Sequence, residues 1–174
     1  MAVQPLDRVL IVDDDATVRT LLRSALEKCG LKVHDVASGA EALAAFVNNR
    51  PDIVLLDAMM PVLDGFATCR QLRALPEGEH VPVIMLTGLD DDDSIARAYE
   101  SGATDFFIKS PQMMLLAERI RYLLRTARMR EELARSRTKL AMAQRIARLG
   151  SWEWDLAGGT VTASEECLRI LGLQ

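Results

Sequence analysis

Short runs of apolar and β-branched residues recur five times in the first 110 residues, and this feature most restricts how the chain folds. The runs are RVLIV (8–12), LKVHDV (31–36), DIVLL (52–56), VPVIML (81–86) and TDFFI (104–108). Segments with the apolar spacing of amphipathic helices separate them, and the first of these ends at Gly30, a residue type that commonly stops helices. The pattern predicts five strands that alternate with helices.

Strands as apolar as these are covered on both faces, as in a parallel sheet with helices on each side. Right-handed crossovers between parallel strands leave few topologies. Five strands in about 110 residues fit the flavodoxin-like doubly wound α/β sheet with strand order 2-1-3-4-5. We therefore predict this fold for a first domain at residues 1–125.

The segment from residue 112 to about residue 148 contains neither Gly nor Pro. It predicts that the last helix of the sheet domain continues as an extended C-terminal helix, with residues 126–149 as a helical linker. One heptad stripe carries Leu133 and Leu140, and Met129 lies beside it. The linker is a weak coiled coil, because large apolar residues fill few of its seam positions.

Composition excludes several classes of protein. The 174 residues are 49% hydrophobic and 26% charged, close to ordinary globular domains. No apolar run approaches the roughly 20 residues of a membrane span. We expect a cytoplasmic protein without membrane contact, because no secretory signal is visible and the three cysteines are far apart in the sequence.

The formal net charge of −4 is divided unevenly along the chain. Residues 1–112 carry 18 acidic and 10 basic side chains, whereas residues 113–174 carry 7 acidic and 11 basic ones. We interpret the basic part as a solvated connecting helix. Nucleic-acid binding is the alternative, but we do not expect it, because no aromatic residues interleave with the charges along this helix after Tyr122.

Polar residues follow four of the predicted strands. They are Asp13–Asp15, Asp57, Thr87 and Lys109. In a doubly wound sheet the carboxyl ends of the strands border the functional crevice, so we expect these side chains to converge. Clustered carboxylates repel one another unless a proton or a cation joins them, and Mg²⁺ takes oxygen ligands of this kind together with a phosphoryl group.

The set therefore predicts a magnesium and phosphoryl site. Acids would hold the metal, one carboxylate would be the nucleophile, and Lys109 and Thr87 would hold phosphoryl oxygens. Taken alone, single residues have structural alternatives, since Asp13–Asp15 also suit the cap of the first helix.

Four segments resemble the receiver domains of two-component response regulators. They are LIVDDD (10–15), LLDAMMPVLDGF (55–66), IMLTG (84–88) and FFIKSP (106–111). The most specific motif is D-x-x-M-P-x-x-D-G, which begins at Asp57. One departure is Ser110, which separates the lysine from Pro111, so the usual cis-proline bond is not expected directly after the lysine.

The resemblance implies a role for each site residue. Asp57 corresponds to the phosphate acceptor. Asp13 and Asp14 correspond to the acidic pair that binds Mg²⁺, and Asp57 and the backbone carbonyl of Met59 complete the protein ligands. Lys109 corresponds to the catalytic lysine.

The resemblance also implies a switch that involves Thr87, which is catalytic as well, and Phe106. The positions two after the acceptor and two after the threonine, which help to place the water that hydrolyses the phosphate in the family, are Met59 and Leu89 here.

The implied phosphodonor is a sensor histidine kinase or a histidine phosphotransfer protein. The chain is then a regulatory phosphoacceptor that catalyses only its own phosphorylation and dephosphorylation. We also expect a homodimer through the last sheet helix and the linker, because a long helix with a partial heptad has little reason to stand alone.

The segment RIARLGSWEWDL (145–156) resembles the entry to a PAS domain. Trp152 and Trp154 alternate with acidic residues, which predicts a half-buried strand. We expect residues 150–174 to be the truncated start of a PAS-like domain. Chains of this texture often continue into domains for cyclic-di-GMP turnover, an output that these residues do not contain.

Two other readings remain. Asp13, Asp15 and Thr17 fit the D-x-D-x-T signature of haloacid dehalogenase-type phosphatases, but the acidic pair required after the lysine is absent and Asp57 has no role in that scheme. The second is an inert receiver-like dimerisation scaffold, against which the retained set of polar residues argues.

Overall fold

The computed structural model describes residues 7–88, 92–109 and 113–173, without the side chains of residues 92, 113 and 114. The predicted features at Leu89 and at Ser110–Pro111 lie outside the described residues. The chain divides into two compact units, Met1–Ala127 and Arg128–Gln174.

Strands and helices alternate through the first unit. The strands are β1 (Arg8–Val12), β2 (Lys32–Val36), β3 (Ile53–Asp57), β4 (Val83–Thr87) and β5 (Asp105–Ile108). The helices are α1 (Ala16–Lys28), α2 (Gly39–Asn49), α3 (Gly65–Ala74), α4 (Asp92–Glu100) and α5 (Met113–Ala147), of which α5 continues into the second unit. In the described part of the chain, no helix combines the length and apolar composition that a membrane span needs.

The five strands form one parallel sheet in the order β2-β1-β3-β4-β5. This confirms the predicted doubly wound fold, and α5 confirms the extended C-terminal helix. The strand order reverses between β1 and β3, so the loops that leave these two strands lie side by side at the carboxyl edge of the sheet.

Helices cover both faces of the sheet, and alternate strand residues enter two separate cores. Leu10 and Leu56 pack with α2, α3 and α4 on one face, whereas Ile11 and Leu55 pack with α1 and α5 on the other. Every residue of β3 and of β4 is buried. This two-sided burial explains why the sequences of β3 and β4 are almost continuously apolar and do not alternate.

In the second unit an antiparallel hairpin of β6 (Trp152–Asp155) and β7 (Thr160–Ala163) follows α5, and α6 (Glu165–Leu171) follows the hairpin. The prediction that the tryptophan strand is half-buried is wrong, because Trp152 is 66% exposed and Trp154 is 56% exposed. A two-stranded hairpin has two open faces, and in the described part of the chain no second layer covers the tryptophan side.

Candidate functional site

The carboxyl edge of the sheet gathers polar residues from four strands. Asp57 and Thr87 are the last residues of β3 and β4, Asp13 directly follows β1, and Lys109 directly follows β5. The strand register places Asp57 beside Leu86, the residue before Thr87. Because all four strands run in the same direction, their carboxyl ends meet at one edge and the polar side chains share it.

Three carboxylates form a compact acidic cluster at this edge. Oxygen atoms of Asp13, Asp14 and Asp57 all lie within 4.8 Å of one another. Asp13 and Asp57 are buried, and Asp14 is exposed. Negative charges this close repel strongly when they are shielded from water, so the cluster needs cations to be stable in its ionised form.

Lys109 supplies one such cation. Its Nζ lies 2.8 Å from Oδ2 of Asp13 and 2.8 Å from Oδ1 of Asp57. Burial lowers the pKa of Lys109, but the hydrogen bonds to the two carboxylates outweigh it, so the net pKa is raised. The ammonium group therefore stays charged between two of the three acids.

Burial raises the pKa of the Asp57 carboxyl, and the charge of Asp13 acts in the same direction, while Lys109 opposes both. The Asp57 carboxylate is therefore held in a poorly solvated place and depends on neighbouring cations to remain ionised. A weakly solvated carboxylate beside a fixed cation suits nucleophilic attack on a phosphorus atom.

Asp15 has a different role from its two neighbours. Its Oδ1 accepts from the backbone N–H of Thr17 at 2.7 Å and of Val18 at 3.4 Å, so it is the N-cap of α1. These backbone hydrogen bonds lower the pKa of the Asp15 carboxyl. Among the described residues, the acidic cluster comprises Asp13, Asp14 and Asp57 without Asp15, which disfavours the phosphatase scheme.

The loop after β3 begins directly at Asp57. The backbone N–H of Met59 lies near enough to the Asp57 carboxyl to lower its pKa slightly, against the larger effect of burial, and the Met59 side chain is 67% exposed. The loop ends at Asp64, which caps α3 by accepting from the N–H of Ala67 at 2.7 Å. Between them, Val62 has a φ of 67° and projects fully into solvent.

The two expected switch residues lie on neighbouring strands. Thr87 is the last residue of β4, and Phe106 is the second residue of β5. Thr87 is 5% exposed, and its carbonyl oxygen accepts from the backbone N–H of Lys109 at 2.7 Å. Phe106 is half-buried in β5 and packs edge-to-face against Tyr99 of α4, with ring centroids 6.0 Å apart and an interplanar angle of 87°.

Sequence patterns did not single out Arg19, although it contacts this site. Its guanidinium donates to the backbone carbonyl oxygens of Asp13 and Asp14. The available signal was its position one helical turn after Asp15, together with the acidic Asp35 on the next predicted strand.

The family comparison identifies the fold of the first unit. A family model described as the response regulator receiver domain matches residues 9–121, well over half of the chain. The chain belongs to the response regulator receiver family.

Individual relatives of this receiver agree with the assignment. The protein named "Probable transcriptional regulator ycf27" from Porphyridium aerugineum is 34% identical over 168 residues, which are 97% of this chain and 67% of that protein. The response regulator MprA from Mycobacterium sp. is 43% identical over 118 residues. Those residues are 68% of this chain and 50% of MprA, so the receiver chain spans half of that relative.

A solved structure also matches. The crystal structure of the BeF3-activated N-terminal receiver domain of RstA from Klebsiella pneumoniae is 37% identical, with a TM-score of 0.62. The match covers 68% of this chain and 99% of that one. Receiver domains of response regulators generally interact with histidine kinases, and they act as regulators.

Proposed function

We propose that this receiver accepts a phosphoryl group on Asp57 from a sensor histidine kinase or a histidine phosphotransfer protein. The observation that carries the proposal is the Lys109 ammonium, 2.8 Å from both Asp13 and Asp57. It supplies positive charge beside a buried carboxylate at the carboxyl edge of the sheet. The RstA receiver is described as BeF3-activated, and beryllofluoride resembles a phosphoryl group, so this similar receiver supports a response to phosphorylation.

In the proposed transfer, a carboxylate oxygen of Asp57 attacks the phosphorus of a phosphohistidine. The new O–P bond forms as the N–P bond breaks, and the electron pair of the broken bond returns to the imidazole nitrogen. Lys109 stays beside the reacting group and offsets the negative charge on its oxygens. Burial of Asp57 keeps water away from the carboxylate before the donor arrives.

The donor set of the acidic cluster fits a hard divalent cation. The carboxylates of Asp13, Asp14 and Asp57 are oxygen ligands, and two of them are buried. We propose that these three residues and the backbone carbonyl of Met59 hold Mg²⁺. When bound, Mg²⁺ would supply charge neutralisation and orientation for the phosphoryl oxygens.

The switching step that we propose uses Thr87 and Phe106. The Thr87 hydroxyl donates a hydrogen bond to the aspartyl phosphate, and Phe106 moves into the space that the threonine leaves. The contact between Phe106 and Tyr99 supports this step, because it joins β5 to α4. A movement of the Phe106 ring would therefore change the packing of α4 and alter the surface formed by α4, β5 and α5.

For the second unit we propose the start of a PAS domain, followed by an output that these residues do not contain. We also propose that α5 forms parallel homodimers. Three large apolar side chains at heptad-compatible positions are exposed, Met129, Leu133 and Leu140, at 56%, 54% and 61%. Nucleic-acid binding is not part of the proposal.

The test is phosphorylation by acetyl phosphate with Mg²⁺, followed by intact mass and sensitivity of the adduct to base. Asp57→Asn keeps the shape and removes the nucleophile, so it should abolish uptake. The matched control is Asp52→Asn, which should retain uptake. Asp52 lies directly before β3, and its carboxylate pairs with Arg8 of β1. A base-labile phosphate on Asp57→Asn would show that the acceptor is misassigned, and mapping it to Asp13 would favour the phosphatase scheme.

A further inference from the structure

Arg19 joins the loop of Asp13 and Asp14 after β1, here called the acidic loop, to the second strand, β2. From the second turn of α1, its Nη1 donates to the carbonyl oxygen of Asp13 at 2.7 Å and to that of Asp14 at 3.1 Å. Its Nε donates to Oδ2 of Asp35 in β2 at 3.0 Å. One planar guanidinium therefore holds three acceptors from two separate parts of the fold.

Asp35 keeps that guanidinium in place. The side chains of Arg19 and Asp35 are only 17% and 20% exposed. Asp35 also pairs with Arg23 through its other oxygen, and Arg23 donates to the carbonyl of Val33 at 3.2 Å. A partly buried, branched network of this kind restrains Arg19 far more than an exposed pair would.

The two backbone acceptors belong to the peptide units on either side of Asp14. The carbonyl of Asp13 lies in the peptide that precedes Asp14, and the carbonyl of Asp14 lies in the peptide that follows it. When both planes are held, the direction of the Cα–Cβ bond of Asp14 is set, because only φ and ψ of that residue lie between them. This matters because Asp14 is exposed and packing contributes little to its orientation.

We propose that Arg19 is a positioning residue for the acidic pair, which sets the carboxylate of Asp14 beside that of Asp13 for cation binding. The inference rests on the proposed function, since it assigns Arg19 to the metal-holding part of that site. Arg19 acts from behind the loop, through the backbone, and its side chain is not a ligand. Partners that orient ligands in this way commonly change metal affinity by about tenfold or more when they are removed.

A through-space effect of the Arg19 charge has the opposite sign. A positive charge near the site repels a cation, so its removal alone would tighten metal binding. Loss of positioning weakens binding instead. The sign of the change in affinity therefore separates the two roles, and the paired Asp35 reduces the charge effect further.

The experiment measures Mn²⁺ binding by the full chain from the electron paramagnetic resonance signal of free Mn²⁺, with Mg²⁺ as competitor. Arg19→Gln and Arg19→Lys should each weaken binding by about tenfold, because neither replacement spans both carbonyls and Asp35. The matched control is Arg23→Gln, which removes the same charge from the same Asp35 network but no contact with the acidic loop, and it should stay within about twofold of the native chain.

Thermal unfolding of each variant shows that the titrated protein is folded, and Arg19→Lys provides the test if Arg19→Gln does not fold. Unchanged or tighter binding in the Arg19 variants, with Mn²⁺ bound by the native chain, would overturn the positioning role alone. Equal weakening in Arg23→Gln would overturn it too, because the whole network would then act without specificity. Absence of binding by the native chain would remove the metal site and the inference together.

Discussion

Gly65 leaves no room for a side chain beside Asp57, since a Cβ atom at residue 65 would lie 2.0 Å from the backbone carbonyl oxygen of Asp57. The N–H of Gly65 donates to the carbonyl of Ala58 at 3.0 Å. The start of α3 is thereby held directly against the end of β3, so the backbone of Asp57 contacts the first turn of the helix.

Gly65→Ala should therefore lower the free energy of unfolding by roughly 1–3 kcal/mol, because backbone atoms must shift to admit the methyl group. It should also slow phosphoryl uptake on Asp57. The matched control is Gly88→Ala at the same edge of the sheet, where nothing lies within 4 Å of the added Cβ and the change should stay within about 0.5 kcal/mol. Urea unfolding measures the stability of both variants, and equal losses of stability would contradict the close approach of Gly65 to Asp57.

Asp14 and Asp15 should show opposite patterns when each is replaced by Ala. Asp14→Ala should weaken Mg²⁺ binding with little loss of stability, because this exposed residue is a proposed ligand. Asp15→Ala should cost about 1 kcal/mol of stability through loss of the helix cap, with a smaller effect on the metal. Metal titration and urea unfolding of both variants give the comparison. Equal losses of Mg²⁺ affinity would show that Asp15 is also a metal ligand.

Val62→Gly should stabilise the receiver. A β-branched residue at a φ of 67° is strained, and such strain costs roughly 1–3 kcal/mol, more than the roughly 0.5–1 kcal/mol that the freer unfolded chain of glycine costs. The control is Val47→Gly in α2, which is also exposed but helical and should destabilise by roughly 0.3–0.5 kcal/mol. Destabilisation at both positions would show that the loop holds Val62 without strain.

The aspartyl phosphate should be long-lived. Met59 can neither donate nor accept a strong hydrogen bond to orient a water, and neither can Leu89, which lies outside the described residues. Loss of roughly 10²-fold of water positioning and proton-transfer assistance gives a lifetime on the order of an hour or more. Met59→Asn combined with Leu89→Glu should shorten it in a phosphate-release assay, whereas a native half-life of seconds would contradict the expectation.

The proposed α5 dimer predicts which helix face tolerates a charge. Leu140→Glu should convert dimer to monomer in light scattering, because it places a charge in the heptad seam. Met142→Glu is the matched control, since Met142 is equally exposed, at 64% against 61%, but lies roughly 200° around the helix from Leu140. A native chain that is monomeric at high concentration would remove the proposal.

Much of the first unit could be predicted because its central strands, β1, β3 and β4, are buried on both faces. The run at 8–12 coincides with β1, and the run at 52–56 ends one residue before β3 does. Topology then brings the acidic residues and Lys109 to one edge, so their proximity follows from the strand order. The roles assigned to them stay predictions.

Other features depend on contacts that periodicity does not report. Which aspartate caps α1 became clear only from the bonds of Asp15 to Thr17 and Val18. The contacts of Arg19 require β2 to lie beside α1, which no local pattern encodes. The exposure of Trp152 was missed because an alternating pattern marks an apolar side of a strand and does not say whether another layer covers it.

Lys109 is a counter-ion that the chain carries with it. Because it is tethered, its effective concentration at Asp13 and Asp57 does not vary with the surrounding solution, and salt screens a pair this buried only weakly. A dissolved divalent ion has neither property. The folded site should therefore persist in a chelator or after dilution, while the proposed phosphoryl chemistry rises and falls with the supply of Mg²⁺, so that the architecture is constitutive and the reactivity is conditional.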